Sequence, residues 1–295
     1  MNNDKSVSQE VDKPIHYYNN SGNGKSSVGA TSSKIELSSR SPLRYPGGKT
    51  RAVKSICKFF PDDLKELLSP FFGGGSIELS FAKKGMKVYG YDIFSPLVEF
   101  WQCLIEQPID LANEVEKFFP LPKSRFYELQ KTQTDFKDKL SRAAVFYVLN
   151  RSSFSGATLS GGMSPGHPRF TRSSIQRLVD FYNPNIELKE ADFKESLAAH
   201  PEVFSYLDPP YLIRNSLYGK KGDAHKDFDH EGLASILKGR INWILSYNNC
   251  DEIRELYAGF HIISPNWKYG MSNNKTSREV LIFSKNFDHS SLHFQ

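Results

Sequence analysis

Residues 66–92 leave a chain like this few folds to choose from. Glu66-Leu67-Leu68-Ser69-Pro70-Phe71 is a short apolar run that ends in glycines, the pattern of a buried strand meeting a turn. Residues 76–84 carry apolar side chains at Ile77, Leu79, Phe81 and Ala82 and stop at Gly85, as a helix does. Lys87-Val88-Tyr89-Gly90-Tyr91-Asp92 is the next strand, and Ser95-Pro96 opens another helix with a capping residue and a first-turn proline. Strand, glycine turn, helix, strand and acid, in that order, make a parallel βαβ unit and predict an α/β fold.

The glycine turn is also a candidate binding site. Phe72-Gly73-Gly74-Gly75-Ser76 lets the backbone adopt positive φ and pass close to a ligand. Asp92, about 20 residues on at the end of the following strand, stands where dinucleotide folds place the acid that accepts from ribose hydroxyls. The full GxGxxG spacing is not met, because Glu78 occupies the position of the last glycine. A carboxylate there suits a cationic adenosine-based ligand better than a phosphate, and a tight turn with no ligand is the other reading.

The second half repeats the alternation. Val203-Phe204-Ser205-Tyr206-Leu207 runs into Asp208, Ile241-Asn242-Trp243-Ile244-Leu245-Ser246-Tyr247 runs into Asn248, and His261-Ile262-Ile263-Ser264 and Glu279-Val280-Leu281-Ile282-Phe283 read as closing strands. Residues 97–180 look mostly helical, with a loop-like stretch over 152–168, and form a plausible second, smaller domain. Residues 1–40, rich in Ser, Asn, Gly and Lys, bury too little apolar surface to offset their ordering entropy and read as a flexible tail.

Composition narrows the partners. The 295 residues carry a net charge of +5, a mild excess that fits a polyanion but does not demand one. Cys57, Cys103 and Cys250 are scattered, without a CxxC pair, which argues against a disulfide framework and a zinc site and predicts no metal. No apolar run approaches membrane-spanning length and the polar N-terminus does not read as a signal peptide, so a cytoplasmic protein is expected.

Asp208-Pro209-Pro210-Tyr211 follows its apolar strand directly, at the sheet edge where open α/β folds bind ligands. Two prolines fix a rigid extended corner there. The composition suits one chemistry. An exocyclic amine is a poor nucleophile because its lone pair is delocalised into the ring. The Asp208 carboxylate and a proline-fixed backbone carbonyl can hold its two protons and localise that lone pair. Tyr211 offers an aromatic face for an extruded base.

With these residues in view, the chain after residue 40 resembles the Dam-type DNA adenine-N6 methyltransferases. Leu43-Arg44-Tyr45-Pro46-Gly47-Gly48-Lys49 is similar to the family's N-terminal motif, residues 69–76 to its glycine motif, Ala191-Asp192-Phe193 to its acidic motif and residues 208–211 to its catalytic motif. Ser246-Tyr247-Asn248 and residues 277–282 resemble its closing segments. The resemblance implies a Rossmann-like S-adenosylmethionine-dependent sheet, residues 41–97 and 181–290, with a smaller, mostly helical target-recognition domain inserted at 98–180. It implies S-adenosylmethionine contacts at Tyr45, Lys49, Phe71, Gly73, Gly75, Asp92, Asp192, Phe193 and Asp208, and catalysis by Asp208, Pro209, Pro210 and Tyr211.

Asn150-Arg151-Ser152-Ser153-Phe154-Ser155-Gly156 resembles a DNA-facing segment of the family. With Arg169, Arg172 and Arg177, Asn150 and Arg151 are expected to meet double-stranded DNA. Lys220 and Lys221, between Gly219 and Gly222, are expected to hold a phosphate beside a flipped base. The reading that results is methyl transfer to adenine N6 in DNA by base flipping, in the setting of restriction-modification. Methylation of RNA adenine or of a protein amide, and a DNA-binding relative without catalysis, are the alternatives.

Overall fold

The computed structural model describes residues 37–164, 169–212, 228–265 and 279–287. Its centre is a seven-stranded sheet: β1 (Glu66–Ser69), β2 (Lys87–Asp92), β3 (Ile186–Glu190), β4 (Ser205–Leu207), β5 (Trp243–Asn248), β6 (His261–Ile263) and β7 (Glu279–Phe283). The spatial order is β3-β2-β1-β4-β5-β7-β6. The first five strands pair in parallel, whereas β7 runs antiparallel to both β5 and β6. Strand order reverses between β1 and β4, and the crevice outside their C-terminal ends is where such sheets bind ligands.

Alternation along the strands builds two cores. Leu68, Leu207, Leu245 and Ile282 face α8 (Phe193–Ala199) and α9 (His230–Lys238), which contribute Phe193, Leu197, Leu233 and Leu237. Leu67, Val88, Ile244 and Leu281 face the other way, onto α1 (Val53–Ile56), α2 (Ser76–Lys83) and α3 (Ser95–Glu106). Each fully buried Leu, Ile or Phe contributes about 1.5–3 kcal/mol of transfer free energy. The chain therefore has a strong driving force for covering the sheet on both faces.

The expected helical block is helical: α3 leads into α4 (Pro108–Glu116), α5 (Lys123–Thr132), α6 (Lys139–Ser152) and α7 (Arg172–Val179). Its apolar faces are continuous with the core of the sheet, since Phe100, Phe146 and Leu178 belong to the same cluster as Leu67 and Ile77.

Three local expectations are corrected. Ser95 is the first helical residue of α3 rather than its cap; Phe94 holds the cap position, and the Ser95 hydroxyl donates to Glu190 at 2.6 Å. The segment expected as tail ends earlier, because Ser38 is bonded by its backbone and hydroxyl to Tyr182 and Asn183. An additional strand, β3, covers the outer edge of β2 in full register from Val88↔Ile186 to Asp92↔Glu190. No helix among the described residues is long and apolar enough to cross a membrane.

Candidate active site

β4 ends at Leu207, so Asp208 is delivered at the sheet's C-terminal edge. Across from it, the loop before α1 brings Lys49 inward, only 4% exposed. The Lys49 ammonium donates to Asp208 Oδ1 and Oδ2 at 2.7 Å each, and to the Tyr211 hydroxyl at 2.9 Å. Tyr211 in turn donates to Glu279 Oε1 at 2.6 Å, and Lys49 lies 3.7 Å from that same oxygen. Glu279 begins β7, opposite Asn248. One ammonium thus ties together three segments that are distant in sequence: its own loop, residues 208–211 and the start of β7.

Burial raises the Asp208 carboxyl above the usual carboxylate range, against the pull of Lys49, and Glu279 adds to the rise. Tyr211 is pushed strongly upward by burial and by the Asp208 and Glu279 charges, so it stays a neutral donor. Its ring stacks on Tyr247, with centroids 5.9 Å apart and planes 25° apart. Asn248 fixes the chain just beyond: its side-chain oxygen accepts from Leu212 N at 3.0 Å and its NH₂ donates to Leu212 O at 2.9 Å.

The glycine turn is clamped on the other side of the crevice. Asp92 Oδ2 accepts from Gly73 N at 3.0 Å, and Oδ1 accepts from Phe94 N at 3.0 Å. The Trp101 indole donates to Gly73 O at 3.0 Å. Gly73 and Gly75 have φ of +50° and +65°, conformations strained for any other residue. The Tyr45 ring lies over the turn, so close that a Cβ on Gly73 would fall 2.9 Å from its Cε1. Burial, with the Asp92 and Asp208 charges, holds the Tyr45 hydroxyl well above its ordinary value.

Beside Asp92 three rings form an aromatic cluster. Phe71 stacks on Phe193 at 6.0 Å, and Phe228 meets both, at 5.6 Å from Phe71 and 5.4 Å from Phe193. Asp192 has a structural task as well: its Oδ1 caps α8 by accepting from Glu195 N at 2.8 Å. Sequence reasoning missed Phe228 and gave Glu279 no role in the site. Each lies far along the chain from the partners that give it meaning.

The expected DNA-facing group divides. Asn150, 1% exposed, is turned inward: its oxygen accepts from Arg44 N at 2.9 Å and its NH₂ donates to Arg44 O at 2.8 Å. Arg151 is buried too, donating to Arg169 O at 2.9 Å and to Pro42 O at 3.2 Å. These two are struts, not surface groups. Resemblance to a DNA-facing segment implies exposure for both, but their partners are backbone groups more than 100 residues earlier or a short loop later. Arg169 and Arg177 are exposed, and Arg172, also exposed, pairs with Glu116 at 2.8 Å. Lys220 and Lys221 lie outside the described residues.

The same strut holds a loop in place. Arg44 Nη1 donates to Ser153 O at 2.7 Å, and Gly156 packs so tightly on Arg44 that a Cβ there would sit 2.0 Å from its carbonyl oxygen. On that pinned loop Phe154 is 60% exposed, a large apolar side chain facing solvent one residue before the positive-φ Ser155. Its signal in the sequence was only that it stands among serines.

A family model described as D12 class N6 adenine-specific DNA methyltransferase matches residues 45–271. Among curated proteins the chain is similar to the Type II methyltransferase M.MjaIII of Methanocaldococcus jannaschii, 25% identical over 259 residues, covering 75% of this chain and 88% of that one. It is also similar to the Type II methyltransferase M.CviBI of Paramecium bursaria Chlorella virus NC1A, 23% identical with 74% and 86% covered. A DNA adenine methylase of Haemophilus influenzae is 22% identical, with 77% and 85% covered.

Proposed function

Because the chain belongs to the D12 class of N6 adenine-specific DNA methyltransferases, we propose that its crevice takes S-adenosylmethionine on the Asp92 side and an adenine flipped from double-stranded DNA on the Asp208 side. The observation that carries this reading is the Lys49–Asp208–Tyr211–Glu279 quartet standing across the switch point from the clamped glycine turn.

The residues present fit the donor. Asp92 spends one lone pair per oxygen on the backbone and keeps others for ribose hydroxyls. The packed Phe71, Phe193 and Phe228 rings offer an apolar face for its adenine, and the positive-φ glycines let the backbone approach. Bound there, the donor supplies the methyl group.

The rest is done by the chain. An Asp208 oxygen accepts one N6 proton and the Pro209 carbonyl the other, which localises the amine's lone pair for attack. Lys49 holds both Asp208 oxygens in one orientation before substrate arrives, so no reorganisation is needed at the reaction. The proton lost from nitrogen goes to Asp208, whose pKa is already raised toward accepting it. The exposed Arg169, Arg172 and Phe154 form the side toward DNA: the arginines meet phosphates, and Phe154 takes the space beside the extruded base. We place the site of action in the cytoplasm, on DNA.

The deciding experiment incubates the purified protein with methyl-labelled donor and, in parallel, duplex DNA, RNA and a protein mixture. Label in N6-methyladenine from duplex DNA is expected. Label confined to RNA or protein, or no label with folded protein across many DNA sequences, overturns the reading.

A further inference from the structure

Glu78 is a buried acid to which the proposed mechanism gives no task. It stands in the first turn of α2, directly behind the glycine turn, and is 3% exposed. Its Oε1 accepts from the Ser69 hydroxyl at 2.7 Å, across the base of the loop that the turn makes. Among the described residues no Lys or Arg pairs with it. Besides Ser69, only the backbone N–H groups of Ile77 and Glu78 itself favour its charge; of the ionisable groups facing it, Asp208 beyond β4 opposes that charge and the Cys57 thiol, from the turn after α1, is held neutral by burial.

Ser69 ends β1, the strand next to β4, whose continuation is Asp208. Glu78 and Asp208 therefore feel each other's charge from neighbouring strands, and among the described residues no cation pairs with Glu78. Buried charge without a counter-charge is costly, and the cost falls when a cation enters.

We propose that Glu78, without touching the ligand, makes the crevice favour the cationic methyl donor over its neutral thioether product. This rests on the reading that the donor is S-adenosylmethionine. Donor and product differ by one charge, at sulfur, and are otherwise close in shape, so a fixed anion behind the turn discriminates between them where packing cannot. The ordinary reading of Glu78 is a hydrogen-bonded closure for the loop. A glutamine would serve that purpose equally well, which separates the two roles. Burial pushes the Glu78 carboxyl up to about 7, so the discriminating charge appears within the range where the protein can be studied.

The test titrates wild type and Glu78→Gln with S-adenosylmethionine and with S-adenosylhomocysteine by calorimetry, without DNA, at about pH 6 and about pH 8, on either side of that value. In the wild type the ratio of product Kd to donor Kd is expected to rise about five- to tenfold between the two conditions, the size of a single screened charge at several ångströms. In Glu78→Gln the rise is lost, whatever titration of the ligands themselves adds to both proteins. The same rise in the variant, or a flat ratio in the wild type, overturns the inference and leaves the donor reading standing. Binding of neither ligand to the folded wild type overturns both.

Discussion

The Lys49 ammonium holds both oxygens of Asp208 at 2.7 Å, so a buried cation orients the carboxylate. Removing Lys49 leaves Asp208 uncompensated, and Lys49→Met is expected to lose about 3 kcal/mol in urea unfolding, as buried pairs do when broken. Adding Asp208→Asn to that variant should recover most of the stability and none of the methyl transfer. Asp208→Asn alone should lower kcat by about 100-fold or more while DNA affinity is kept. A Lys49→Met protein as stable as wild type sinks this account.

Gly73→Ala tests the turn. The new methyl group meets the Tyr45 ring at 2.9 Å and sits on a backbone with φ of +50°. The Tyr45 hydroxyl is buried but its ring is partly exposed and can shift by a few tenths of an ångström, so a stability loss of about 1–2 kcal/mol is expected, chiefly from the backbone conformation. Donor affinity should fall much further, read by equilibrium binding. An unchanged donor Kd counts against the turn as the donor's cradle.

Asn150 separates a strut from a DNA contact. Asn150→Ala strands the N–H and C=O of Arg44 and should cost about 2–3 kcal/mol of stability, since a buried polar group is left unpaired. The salt dependence of DNA binding, measured below the melting range, should keep its slope. Arg169→Ala should instead flatten that slope by about one unit of log K per log salt, as loss of a phosphate contact does.

Phe154→Ala predicts the reverse pattern. The ring is exposed on a pinned loop, so stability should shift by no more than about 0.5 kcal/mol. Affinity for duplex DNA containing the target should drop, by about 1–3 kcal/mol if the ring stacks on bases. An unchanged affinity in a fluorescence titration removes Phe154 from the DNA side.

Glu78 gives a pH dependence of known sign. Burial pushes its carboxyl up to about 7, above the ordinary 4.5 of a glutamate, so the folded state holds an extra proton between these values. Its contribution to stability is therefore full below the lower value and is lost as pH rises through the upper one. Glu78→Gln lacks that loss, and its stability relative to wild type should grow by about 3 kcal/mol between acid and mildly alkaline conditions. A parallel course of the two proteins in urea melts across pH contradicts it.

What could be read from the sequence was what is local. Residues 66–92 carry their own punctuation, and the strand, turn, helix and strand stand where the glycines and apolar runs put them. Asp208 could be found because two prolines mark it. β3 was hidden because only Ile186 and Leu188 mark its apolar side, too few to stand out beside Glu187, Lys189 and Glu190, charges that suit a strand at the sheet edge. Asn150 and Arg151 lie on a segment that resembles a DNA-facing one, and nothing local in the sequence shows that their partners are backbone groups 106 and 109 residues away. Glu279 matters only once an antiparallel strand carries it back beside Lys49.

Arg44 lies one residue before Tyr45, and through Asn150, Ser153 and Gly156 it is fastened to the loop that presents Phe154. On the proposed reading the donor side and the DNA side are therefore fastened through one residue, and residues 98–180 are not a separate cassette. A chimera that transplants residues 98–180 from a relative, while keeping this chain's own residues 42–45, would join two halves of a lock cut for different keys. To move specificity between such enzymes, the short stretch before the glycines has to travel with the insert.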